Sequence, residues 1–88
     1  MSMSIIVTLN AGSISDDFQL PADMPLKELS SLLMNGLKSM SPAEFKDKKH
    51  LLLLYERQAL MNMSKTLSEY GICDGAILDV VFAEEYHV

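Results

Sequence analysis

The apolar residues of this chain change rhythm along its length, and each rhythm predicts an element. Residues 4–10 read Ser-Ile-Ile-Val-Thr-Leu-Asn, β-branched or apolar and poorly suited to a helix. Ala11-Gly12-Ser13 is a turn signal, and residues 14–20 return as a second strand with Phe18 and Leu20 on one face and Asp17 and Gln19 on the other. Pro21 stops that strand, so the opening is a hairpin. The period then lengthens. Leu26, Leu29, Leu33 and Leu37 recur at helical spacing, and Leu32 and Gly36 widen the stripe. Lys27, Glu28, Ser31 and Lys38 point elsewhere, which predicts an amphipathic helix of three to four turns. Pro25 suits its first turn, and Asp23 lies close enough to help cap it.

Ser41-Pro42-Ala43-Glu44 has the form of a capping box with proline at its first helical position, which predicts a short second helix over residues 42–48. Residues 50–55 form a third strand, Glu56-Arg57-Gln58 a turn, and residues 59–61 a short fourth strand. Thr66-Leu67-Ser68-Glu69 is a second capping box, here for a single helical turn, and Gly71 is a left-handed position after it. Asp74-Gly75 is a turn, and residues 76–82 form the last strand. One helix is long enough to cover one face of such a sheet, so the other face must meet solvent or a partner.

Composition narrows the possible chemistry. Eighty-eight residues suit one domain, with an ordered core expected over 4–82 and a tail over 83–88. The net charge of −5 disfavours nucleic acid and anionic membranes. A single cysteine allows no internal disulfide and fits a reducing, cytoplasmic setting. Met1-Ser2-Met3-Ser4 has no basic residue ahead of an apolar run, and the aliphatic run 51–54 is far too short to span a bilayer. Neither a targeting segment nor membrane insertion is expected. Cys73, His50 and His87 are the only thiol and imidazoles, and they lack the spacing of a nucleophile–base pair or a zinc set. No Gly-rich phosphate loop is present, so neither catalysis nor a cofactor nor a metal is expected. Lys46, Lys48, Lys49 and His50 form a local basic cluster, read as a solvated face. Met34, Met40 and Met61 are read as fillers of gaps in a small core.

The element order matches the β-grasp, an α+β fold with one main helix on a mixed sheet. Thr66-Leu67-Ser68-Glu69-Tyr70-Gly71-Ile72 resembles the loop before the last strand of ubiquitin, and the likeness continues through Val81. It implies that Leu67 and Ile72 enter the core and that Tyr70 braces the loop through a hydroxyl bond to backbone. The stretch from Phe18 through Pro21 and Pro25 to Lys27 is similar to the strand-to-helix corner of the YukD/EsaB family, small cytosolic ubiquitin-like proteins of Gram-positive type VII (WXG100) secretion systems. Ile72-Cys73-Asp74-Gly75-Ala76-Ile77-Leu78 resembles that family's corner before the last strand, with Ala76 in place of the usual acidic residue. Modifiers of this fold end in Gly-Gly, whereas here no glycine follows Gly75, so conjugation is not expected.

The resemblance also implies a phase for the strands. It puts Ile5, Val7, Leu52, Leu54, Leu78 and Val80 inward. The outward set is then Ile6, Leu51, Leu53, Ile77 and Val81, with Leu53 and Val81 where ubiquitin carries members of its recognition patch. A shift of one residue would exchange inside and outside. Exposed contiguous apolar surface marks an interaction site, here with a rim of charges such as Asp79 and Arg57. The expectation is a non-catalytic protein-binding module of type VII secretion. Its partner would be a cytosolic part of the machinery or a second copy, and the alternative is a ubiquitin-like adaptor in an unrelated pathway.

Overall fold

The computed structural model describes residues 3–84. The tail expected over 83–88 therefore lies mostly outside the described residues. Strands β1 (Ser4–Ala11) and β2 (Ile14–Pro21) form the hairpin, followed by α1 (Leu26–Met40) and α2 (Pro42–Phe45). Strands β3 (Leu51–Tyr55), β4 (Gln58–Ala59) and β5 (Ile77–Phe82) complete a five-stranded sheet in the order β2-β1-β5-β3-β4. The central pair, β1 and β5, runs parallel, and the other neighbours run antiparallel. This is the mixed α+β architecture that the alternation of strand and helix patterns requires.

Helix α1 lies on one sheet face and buries Leu26, Leu29, Leu33, Met34 and Leu37. They pack with Val7, Leu9, Leu78 and Val80 from the sheet and with Leu67 and Ile72 from the loop before β5. Among the described residues no charged or polar residue is buried in that core. Met34 is a core filler as expected, whereas Met40 and Met61 stand exposed at the surface. Met40 closes α1, and Met61 lies past the end of β4.

The start of α1 differs from the sequence reading. Asp23 provides no cap, and Pro25 itself occupies the N-cap position with extended backbone. The first helical N–H groups would otherwise lack partners. Leu26 donates instead to the carbonyl of Lys65 at 2.8 Å, and Lys27 to that of Met63 at 3.0 Å. The helix is thus capped by main chain from some forty residues away. The 66–69 box, by contrast, forms as expected. Thr66 N–H donates to Glu69 Oε1 at 3.0 Å, and Glu69 N–H donates to Thr66 Oγ1 at 3.1 Å. Tyr70 holds the same loop by accepting the Asn62 N–H on its hydroxyl at 2.9 Å.

The expected 41–44 box is not made. Glu44 turns to the β1–β2 turn, where its carboxylate accepts the Ser13 N–H at 2.9 Å and the Ser13 hydroxyl. These bonds hold the Glu44 carboxyl below its ordinary value. Gly12 sits beside this clasp at φ +58°, and a Cβ there would collide with the same carboxylate. Helix α2 is also shorter than the 42–48 expected, because its last turn closes at Phe45, a fully buried side chain.

Candidate functional site

The outer sheet face is built by strand alternation and sheet order alone. Strands β1 and β5 send Val7, Leu9, Leu78 and Val80 under α1, so Ile6, Thr8, Asn10, Ile77, Asp79 and Val81 project from the opposite face. Ile6 is 54% exposed and Ile77 is 57% exposed. Among the described residues no helix covers this face.

Strand β3 has the opposite phase to the one expected. Leu53 is 3% exposed and Leu51 is 6% exposed, so both belong to the core and not to the outward set. The cause is the pairing with β5. Leu53 stands opposite Val80 and Leu51 opposite Phe82, and directly paired residues share a sheet face. Phe82 is buried against Phe45, with ring centroids 5.6 Å apart, so its β3 partner is drawn inward too. Leu52 and Leu54 therefore face outward, half-buried, opposite Val81 and Asp79.

The structure thus keeps Ile6, Ile77 and Val81 on the outer face, removes Leu51 and Leu53, and adds Leu52 and Leu54. The register arranges them in two spots. Val81 and Leu52 pair, with Leu54 next along β3 and Ala59 beyond it on β4. Ile77 pairs with Thr8, two residues along β1 from Ile6 and on the same face. Asp79 lies between the two spots and accepts a bond from Asn10 Nδ2 at 3.3 Å. The sequence shows Phe82 continuing the inward series of Leu78 and Val80, but the register that carries this phase to β3 appears only in the fold.

At one end the face is bounded by the β3–β4 turn, where Glu56 and Arg57 both hold positive φ, 51° and 68°. This is the two-residue turn whose twist matches a hairpin, although glycine or asparagine fills it more readily. Ile6 is held from the β5 side, its N–H donating to Asp74 Oδ1 at 2.7 Å and its carbonyl accepting from Gly75.

The polar side chains do not converge. Cys73 is exposed, and its Sγ lies 3.6 Å from the Gly71 carbonyl. His50 Nδ1 lies 3.6 Å from Glu84, which also accepts the main-chain N–H groups of Lys49 and His50. His87 lies outside the described residues. Among the described residues no group of three or more metal-ligating side chains is assembled, and no helix is long and apolar enough to cross a membrane.

None of the curated proteins matches the chain. Solved structures similar to it include a ubiquitin-like domain of EccD5 from Mycobacterium xenopi, 19% identical with a TM-score of 0.77, covering 96% of this chain and 99% of that one. The ubiquitin-like domain of the Mycobacterium tuberculosis type VII secretion system protein ECCD1 is 20% identical with a TM-score of 0.72, covering 90% and 98%. A chain of the ESX-5 inner membrane complex is 19% identical with a TM-score of 0.76, covering 97% of this chain and 22% of that one. These likenesses establish the ubiquitin-like β-grasp fold. The family model described as WXG100 protein secretion system, protein YukD, matches residues 4–80. A match over that span of an 88-residue chain places it plainly: the protein belongs to the YukD family of the WXG100 secretion system.

Proposed function

We propose that this protein is a non-catalytic, cytoplasmic accessory component of type VII secretion that docks on a cytosolic part of the membrane machinery through its outer sheet face. The observation that carries the reading is the pair of apolar spots on that face, Leu52–Leu54–Val81 and Ile6–Ile77, in a chain of the YukD family. Folding leaves these side chains exposed or half-buried, so a partner can remove further apolar area from water there. Asp79 between the spots and Arg57 at the end of the face supply polar contacts that orient the partner. The similarity to a chain of the ESX-5 inner membrane complex supports a partner within the secretion machinery. The reading needs no covalent attachment step.

The test is a photo-crosslinking amino acid placed at Ile77 in cells that secrete a WXG100 protein. The expected adduct contains a component of the secretion machinery, and it disappears with Leu52→Ser. An adduct with a second copy of the chain would replace the reading with a homodimer. An adduct only with proteins outside secretion would favour the adaptor reading.

A further inference from the structure

Strand β2 is an edge of the sheet, with no further strand paired to it among the described residues. Between it and α1 runs an apolar groove of about 190 Å³, lined by Phe18, Leu20, Leu29, Leu32, Leu33 and Gly36, among others. Leu32 is 53% exposed on the groove's lip. Gly36 leaves a notch one turn further along, where an added Cβ would meet no atom within 4 Å.

The edge itself presents main-chain groups. Thr8 donates to the Ala76 carbonyl, and Ile6 accepts from Gly75, so both residues direct their main chain toward β5. Their partners on β2, Asp17 and Gln19, then direct theirs away from the sheet. The outward N–H of Asp17 is already taken by Asp16 Oδ1 at 2.9 Å, and Pro21, in the same phase, has no N–H. Gln19 is left as an open donor between these two blocked positions, with carbonyls of the same phase on either side, and Ser15 shares that phase only beyond the blocked Asp17. An edge guarded in this way resists long pairing and accepts a short strand in a single register.

Charge selects among such strands. Asp16 lies on the groove's side of β2, in phase with Phe18. Glu28 lies one helical turn before Leu32 on the lip of α1. Lys27 and Lys38 are turned roughly 120–140° around the helix from Leu32. The groove is thus flanked by carboxylates, in a chain of net charge −5.

We propose that the α1–β2 groove is a second docking site, for an extended segment of a partner protein with alternating apolar side chains and flanking basic residues. The segment pairs with Gln19 through its main chain, places alternate side chains in the groove and sets its cations beside Asp16 and Glu28. It is separate from the outer face, so the protein can join two partners at once.

The test titrates the full chain with a soluble peptide alternating valine and threonine between lysines, read by backbone amide NMR. Shifts at Phe18, Gln19, Leu32 and Gly36, but not at Ile6 or Ile77, are expected, weaker in high salt and weaker still with glutamate in place of lysine. Gly36→Leu fills the notch and Gln19→Pro removes the open donor. Each should lower affinity by at least about tenfold while the variant melts near wild type. Absence of groove shifts, shifts confined to the outer face, or unchanged binding by both variants would overturn the proposal. So would groove shifts that follow protein concentration without peptide, which point to a second copy. Groove shifts caused by deleting residues 85–88 point to the chain's own tail and would overturn it equally.

Discussion

The two faces of the sheet are made by the same strands and both carry aliphatic side chains, the inner face more of them, yet they do different work. The inner face, with Val7, Leu9, Leu53 and Leu78, is closed by α1 and by the loop carrying Leu67 and Ile72. The outer face sets Ile6, Leu52, Leu54, Ile77 and Val81 among Thr8, Asn10, Asp17 and Asp79. Thr8 donates to Asp17 there at 2.7 Å, so the polar positions are themselves bonded. The inner leucines stabilise the fold by leaving water altogether. The outer ones stay partly wet in the monomer and contribute less to stability. An apolar side chain that folding does not use is a candidate for recognition, and this difference between the faces can be broken experimentally.

The largest effect is expected in β3. Leu53→Ser puts an unpaired hydroxyl and a void against Val80 and should cost about 3–5 kcal/mol, seen as a large fall in the denaturant midpoint. Its neighbour should behave differently. Leu52→Ser, on the outer face, should cost less than about 1 kcal/mol in the same measurement. Equal losses would mean that β3 pairs with β5 in another register.

A third change sharpens the contrast from the turn that joins β3 to β4. Arg57 holds φ 68°, which costs a non-glycine residue about 1–2 kcal/mol, partly offset by the entropy glycine loses on folding. Arg57→Gly should therefore stabilise the protein by up to about 1 kcal/mol, read as a higher melting temperature. The smallest effect is electrostatic and lies at the rim of the inner layer. The Glu44 carboxyl is lowered first by the Ser13 hydroxyl and then by the Ser13 N–H. A carboxyl lowered in the folded state stabilises it above the ordinary value near 4.5 and loses that contribution as pH falls through the lowered folded value. Glu44→Gln should flatten the acid limb of the stability–pH curve and leave neutral pH least changed in slope. An unaltered acid limb would show that the clasp to Ser13 does not form in solution.

What was legible in the sequence was local. The α1 stripe could be read because Leu26, Leu29, Leu33 and Leu37 repeat at one helical face, and all four are buried. The 66–69 box could be read because both of its bonds close within four residues. What was not legible depends on distant partners. Four leucines in succession at 51–54 carry no phase of their own, and only the pairing with Val80 and Phe82 decides which pair is inside. Glu44 has the spacing of a local cap, but its bonds go to Ser13, 31 residues away. The groove at Leu32 and Gly36 was absorbed into the helix stripe, because a helical pattern does not show where the neighbouring strand ends its cover. Ile6, Ile77 and Val81 do face outward as the pattern suggests, and the β3 reading is one position out of phase.

The most direct measurement combines folding and secretion in one variant. Leu52→Ser with Ile77→Ser removes an anchor from each outer spot and touches no core residue. Its melting curve should stay within a few degrees of wild type. Export of a WXG100 protein from cells carrying it should fall to the level of cells lacking the protein, because a few central apolar anchors carry most interface energy. Wild-type export from a normally folded double variant would contradict the account, since the outer face would then serve neither folding nor secretion.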